Sequence, residues 1–502
     1  MIPTALQQTN ELKNITIMSF GTRGDFQPYL ALAIQLKSAG YNVRLLGTVT
    51  FQKYAEEFGI QFVVMSDHCI DVSLRENEAL RNAISSGDLI QMAEHGVDAL
   101  INLPYVIKAF FQEMTDHTPD LFIEGTICDY FGHYVEHVLM KPSIPIKLQA
   151  FYHDTDRACM GLPTLPDGGH YQILMNIFEG EYDKWVAKND IITQSLGYQK
   201  LADVFSKKAY MEHSAKRTRG ETFHIVCQSS LFKNILAPGA TKELSFVGPL
   251  IMEAKDQPTD TIFFGGDDAH QQIEAFINEK PESKPVYCGW GSMVCNSPEH
   301  MIRFVVSSLK RSGERGIVLG GVANLSLELL KQSTSDEELL SYAEKNILFV
   351  KKASHENLFP RVKCIVHHGG AGTTNAALRA GVPSIITPVF FDQWDHAHVL
   401  NELGVGFGFA STQFQKITPE ELGTAIHDVV NNEDMKAQAA KVAEAIRAEN
   451  GQKTVLKVIE EFYKKCNHQD SSNATASFEE EGSFMGEATR RPTLTRTVIS
   501  TA

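Results

Sequence analysis

Short apolar runs alternate with helical stretches in two separate blocks of this chain, and that alternation admits few folds. The first block holds ITIMSF (15–20), NVRLLGT (42–48), QFVVM (61–65), LFIEGTI (121–127), IPIKLQAF (144–151) and HIVCQSS (224–230). The second holds PVYCGWGSM (285–293), GIVLGGV (316–322), ILFVKK (347–352), CIVHHGG (364–370) and PSIITPV (383–389). Strands that are apolar throughout, with helices between them, belong to parallel sheets covered on both faces. The expected fold class is therefore α/β, with two doubly wound domains. A chain of 502 residues is long enough for each domain to bury its own core.

The expected organisation is an N-terminal domain over 1–235, a connection over 236–262, a second domain over 263–432, two terminal helices over 433–466 and a disordered tail over 467–502. Pro238, Gly239, Gly248, Pro249 and Pro258 mark the connection. The terminal helices, split at Gly451, are expected to cross back to the first domain. Beyond Cys466 the composition shifts to Ser, Glu, Thr and Gly, which cannot bury enough apolar surface to hold a fold. Residues 66–115 and 152–222 lack a clean strand pattern and read as insertions that shape a pocket or as ordinary amphipathic core helices.

A net charge of −15 repels phosphate backbones and anionic lipid, so no nucleic-acid partner is expected and any phosphate site must be local. The eight cysteines are scattered without a CxxC pair, which points to a reducing compartment. The polar start MIPTALQQTNELKN has no apolar signal core, and no run approaches a membrane span. A cytoplasmic location with at most peripheral membrane contact is expected.

Open parallel sheets bind ligands outside the carboxyl ends of their strands, where a strand runs into glycine and a helix. In Phe20-Gly21-Thr22-Arg23-Gly24-Asp25, Asp25 lies at the start of a helix, as a cap or as a group facing the crevice. In His367-His368-Gly369-Gly370-Ala371-Gly372-Thr373-Thr374-Asn375, glycines, helix N–H groups and an imidazole make a phosphate cradle that needs no metal. Neither block carries a complete GxGxxG, which disfavours a nicotinamide cofactor. In Thr387-Pro388-Val389-Phe390-Phe391-Asp392-Gln393, an adjacent carboxylate and amide can accept from and donate to vicinal hydroxyls. Gly289-Trp290-Gly291-Ser292 is a further turn able to donate to phosphate.

With these motifs in this order, the sequence resembles the two-domain, metal-independent (GT-B) UDP-glycosyltransferases built from Rossmann-like lobes. It is most similar to the sterol 3-β-glucosyltransferases and the antibiotic glycosyltransferases, over most of residues 15–465. The resemblance implies that Asp25 is the general base. It gives the UDP diphosphate to Ser292, His367, Gly370, Gly372 and Thr373, the ribose to Asn375, and the glucose hydroxyls to Asp392 and Gln393. The partners implied are a UDP-sugar donor and a hydrophobic small-molecule acceptor, with no metal or other cofactor; the donor could be another nucleotide sugar, and a non-catalytic UDP-sugar-binding protein is the alternative. Asn357 stands where the family commonly has Trp, which weakens base recognition there. Phe151-Tyr152-His153-Asp154-Thr155-Asp156-Arg157 replaces the sterol enzymes' Trp-Thr-Arg-like stretch, so the acceptor need not be a sterol. Asp154 and Asp156 form a chance match to the DxD metal motif. With about 14 residues before the first strand, none of the fungal enzymes' lipid-binding domains is expected.

Overall fold

The computed structural model describes residues 12–68, 72, 74, 76–86, 103–125, 128–150, 175–176, 179–180, 182–257 and 264–480. The N-terminal sheet contains β1 (Asn14–Met18), β2 (Asn42–Thr48), β3 (Gln61–Ser66), β4 (Leu121–Glu124), β5 (Ser143–Lys147), β6 (His224–Val226) and β7 (Leu244–Phe246). The second contains β8 (Val286–Gly289), β9 (Gly316–Leu319), β10 (Ile347–Val350), β11 (Cys364–His367), β12 (Ser384–Ile386) and β13 (Gly406–Gly408). Their orders are β3-β2-β1-β4-β5-β6-β7 and β10-β9-β8-β11-β12-β13. Each pairing is parallel, as in β1 with β2 and β4 or β11 with β8 and β12. Both sheets therefore reverse direction of winding beside their first strand, where a doubly wound fold opens a crevice.

One strand, β13, escapes the sequence pattern, and a second, β7, is the short strand that the 236–262 connection has room for. β13 has glycine at both ends because the helix Gln393–Leu403 lies so close over it that a Cβ at Gly408 would fall 2.1 Å from the Ala397 carbonyl. β7 pairs with β6 through His224↔Leu244 and extends the first domain to Phe246, so the connection begins later than the composition suggests. Leu244 is fully buried, and its pairing outweighs the nearby Pro and Gly.

The terminal helices divide between the domains. Glu433–Ala448 stays on the second domain, where Arg447 Nε donates to the Arg379 carbonyl at 2.6 Å. Gly451–Glu480 alone crosses back, burying Val455, Ile459 and Tyr463 in the core formed by Ile15, Tyr29, Leu32 and Ile123. Phe462 stacks on Phe223 with centroids 5.2 Å apart. This helix continues to Glu480, beyond the expected start of the tail, because its polar run contains no Pro or Gly to stop propagation from a docked nucleus. The two crossings touch: a Cβ at Gly451 would lie 2.3 Å from the Pro249 carbonyl, and Glu449 Oε1 accepts from Ser230 N at 2.9 Å.

Ile459 is fully buried. Ile459→Ala should lower unfolding free energy by about 2–5 kcal/mol in denaturant titrations. An unchanged midpoint would show that the last helix does not hold the first domain together.

Candidate active site

Parallel register sets the site in the second domain. His367 aligns with Gly289 on one side and with Ile386 on the other, so the loops after β8, β11 and β12 leave the sheet side by side. Trp290 Nε1 donates to Thr387 Oγ1 at 2.9 Å and ties the outer two loops together. Ser292, the 367–375 turn and the Asp392–Gln393 pair thus share one mouth.

The middle loop feeds the helix Ala371–Ala380, whose N-cap is Gly370 and whose first turn has no side-chain cap. The amides of Ala371, Gly372 and Thr373 have no intrahelical acceptor and carry the positive end of the helix dipole. By contrast Ser297, Ser326, Asp336 and Thr418 cap their own helices in this domain. Thr374 Oγ1 turns back to the Gly370 carbonyl at 3.0 Å. Asn375 follows with a buried side chain, and its Oδ1 has no hydrogen-bond partner among the described residues.

Two imidazoles stand at the turn: His367, expected to hold the diphosphate, and His368 beside it. His367 is wholly buried, and its Nδ1 accepts from Gly369 N at 3.1 Å. A Cβ at Gly370 would sit 2.5 Å from His368 Nε2, and one at Gly291 would sit 3.3 Å from His368 Cε1. Burial lowers the His368 pKa to about 4, partly opposed by a hydrogen bond to the Gly289 backbone, so the ring is neutral at pH 7.

The third loop carries Asp392 and Gln393. Gln393 is buried, and its Oε1 accepts from Val389 N at 2.8 Å and Phe390 N at 3.0 Å, which leaves its amino group as the donor. Phe391 holds φ at +57°, a strained value for a bulky residue, and packs into the apolar cluster of the other domain that includes Met18, Phe20 and Phe131.

Opposite this mouth is the loop after β1. Thr22 and Asp25 form a capping box on the helix Arg23–Ser38, with Thr22 N donating to Asp25 Oδ2 at 2.8 Å. Gly21 has φ +135°, and a Cβ there would lie 2.2 Å from Asp25 Oδ2, so only glycine lets the carboxylate fold over the loop. The capping carboxylate is near enough to Asp392 for its charge to be felt there. Burial raises the Asp392 pKa to about 7, and the Asp25 charge adds to the rise. A Cβ at Gly372 would be 4.0 Å from the Gly24 carbonyl, and Ala371 packs against the first domain's core.

Sequence reading missed Arg23. Its guanidinium lies 5.2 Å from the Phe264 ring centroid and helps burial lower the His355 pKa to about 3, so a cation from the first domain reaches the second. The positive charge in a loop noted for its glycines was the available signal. The segment after β3 also crosses: Leu74 and Leu80 are buried in the second domain's core with Met301 and Val318.

Asp154 and Asp156 lie outside the described residues. Among the described residues, one grouping has donor atoms spaced for a metal ion: His133, Glu136 and His137, within 4.8 Å of one another. It lies at the end of the helix Asp129–His137, with Phe205 stacked 4.2 Å from His137, and packing accounts for the ring positions. No helix among the described residues is long and apolar enough to cross a membrane.

Because Asp392 binds its proton more tightly folded than unfolded, its presence destabilises the fold progressively as pH rises from about 4 to 7, and fully above that. Asp392→Asn should therefore raise unfolding free energy at pH 8 by on the order of 1–3 kcal/mol and leave it unchanged near pH 4. Equal effects at both pH values would contradict this electrostatic description.

Comparison with known proteins agrees with the geometry in both domains. Residues 15–108 match the glycosyltransferase family 28 N-terminal domain, and residues 317–462 match the erythromycin biosynthesis protein CIII-like C-terminal domain. Sterol 3-beta-glucosyltransferase UGT80B1 of Arabidopsis thaliana is 26% identical over 455 residues, covering 87% of this chain and 66% of that protein. The sterol 3-beta-glucosyltransferase of Saccharomyces cerevisiae is 25% identical over 471 residues, covering 90% of this chain and 35% of its own length. UDP-sugar-dependent glycosyltransferase 52 of Dictyostelium discoideum is 23% identical, with 89% and 26% covered. The chain thus spans from about a quarter to two-thirds of the length of these relatives. The kitacinnamycin glycotransferase superposes with TM-score 0.58 at 15% identity, over 90% of this chain and 99% of that one. The calicheamicin glycosyltransferase CalG4 gives 0.58 at 14%, over 90% and 98%, so both share the fold. With one matching domain in each lobe and relatives across nearly its whole described length, the chain is similar to the sterol 3-β-glucosyltransferases and shares the two-lobed GT-B fold of the antibiotic glycosyltransferases.

Proposed function

We propose that this protein is an inverting glycosyltransferase that moves glucose from UDP-glucose to a hydroxyl of a hydrophobic small molecule: a sterol, terpenoid, polyketide or phenolic. The observation that carries this reading is the apposition of Asp25 on one lobe with the uncapped Gly370 helix start and His368 on the other. The relatives' names support the donor and the sterol class.

The amides of Ala371, Gly372 and Thr373, with Ser292, receive the diphosphate beside His368, and Arg23 adds a cation from across the cleft. Asn375 takes a ribose hydroxyl. Asp392 accepts from, and the Gln393 amino group donates to, the sugar hydroxyls. Ionised Asp392 is the accepting form, so donor affinity should rise with pH through about 7 in the unoccupied site.

Asp25 receives the proton of the acceptor hydroxyl as its oxygen bonds to the anomeric carbon. The bond from that carbon to the UDP oxygen breaks, its electron pair leaves on the diphosphate, and the helix amides stabilise the new charge. A single displacement converts an α-donor to a β-glucoside. No chemical step in this sequence calls for a metal ion, and the location proposed is cytoplasmic with peripheral membrane contact at most.

Asp25→Asn keeps an acceptor for Thr22 and should lower kcat by about 10² to 10⁴ with UDP affinity unchanged. His368→Ala should weaken UDP binding about tenfold in calorimetric titrations, about 1.4 kcal/mol, whereas His367→Ala should lower stability and spare affinity. Wild-type turnover in Asp25→Asn reduces that residue to a cap, and the reverse ranking of the histidines removes His368 from the cradle.

A further inference from the structure

Gln228 and His396 meet between the lobes. Gln228 stands just past β6, fully buried, and its backbone carbonyl accepts from Gly248 N at 2.9 Å where the chain begins its first crossing. His396 lies one turn after Asp392 on the helix Gln393–Leu403 of the other lobe and is 1% exposed. The Gln228 side-chain nitrogen is 2.7 Å from His396 Nε2, and His396 Nδ1 is 2.6 Å from the Gly369 carbonyl oxygen.

These contacts assign the protons. A carbonyl only accepts, so Nδ1 carries hydrogen and donates to Gly369, and Nε2 presents its lone pair to the Gln228 amide. Burial favours this neutral ring by lowering its pKa. The chain of hydrogen bonds thus runs from the hinge side of the first domain to the first glycine of the cradle turn. A buried polar contact of this kind is costly to leave half made, which ties the two lobes' positions to each other.

We propose that Gln228 and His396 form an inter-lobe latch, with His396 as a positioning residue that holds the Gly369 peptide and so sets the anion-binding geometry of the turn after it. The role for donor binding rests on the reading of that turn as the UDP-sugar site. With the latch made, the amides of Ala371, Gly372 and Thr373 are held toward the cleft before a ligand arrives. With the latch broken, the turn loses its outer support and the donor must order it on binding.

The test uses the full chain with Gln228→Leu, His396→Leu and the double substitution, each checked for folding by circular dichroism. Each single change should raise the Kd for UDP about tenfold and speed ligand-free amide exchange across residues 369–373, with kcat at saturating donor within about threefold of wild type. The double should be no worse than the more severe single, because each removes the same interaction. Additive losses, or wild-type exchange at 369–373 in folded variants, overturn the latch. Where a leucine variant fails to fold, Gln228→Asn, which withdraws the amide by one methylene, takes its place with the same expectations. If wild-type protein does not bind UDP, the donor reading falls, and the ligand-free exchange still decides whether the latch exists.

Discussion

The parallel register of β8, β11 and β12 is the constraint on which the site depends. Because His367 aligns with Gly289 and Ile386, three loops that are distant in sequence emerge together at one sheet edge. The first domain presents the loop after β1 by the same rule, and the helix Gly451–Glu480 closes the arrangement by burying its apolar face in that domain's core. Neither lobe alone brings Asp25 and the uncapped helix start at Gly370 together. Crossing contacts from Ala371, Phe391, Leu74 and Leu80 hold them in apposition.

Electrostatics explains how a chain of net charge −15 can receive an anion. The proposed cradle relies on backbone dipoles rather than on lysines, which would let it take a phosphate without a basic surface. Arg23 supplies formal charge from the opposite lobe only when the lobes are together. The cost appears at Asp392, a carboxylate held near Asp25 in a desolvated cleft. A related cost lies behind the β1 loop, where Lys147 Nζ meets Glu124 Oε1 at 2.5 Å and Arg217 pairs with Asp129, all of them well buried except Asp129. Such buried networks fix geometry more readily than they add stability.

Much of this was legible in the sequence because the signals are local. Eleven apolar runs gave the two sheets, and glycine-rich strand ends gave Asp25, Gly370, Gly372 and the Asp392–Gln393 pair their places. What failed depended on direction or distance. His367 and His368 are adjacent and chemically identical, and the motif does not separate their surroundings: His367 is wholly buried, and His368 lies against Gly291 and Gly370. β13 is a three-residue edge strand defined by pairing and by the close approach of a helix, which composition does not record. Gln228 and His396 are 168 residues apart, and neither lies in a recognisable motif.

In the proposed reaction the glycine turn of one lobe holds a UDP-sugar for attack directed by Asp25 of the other. It is tested most directly by following UDP release from UDP-glucose in EDTA-containing buffer, with and without a sterol or phenolic acceptor. Acceptor-dependent UDP release that matches formation of a β-glucoside is the predicted result. Absence of release across a broad acceptor panel, or its abolition by EDTA with recovery on adding a divalent cation, would contradict the account.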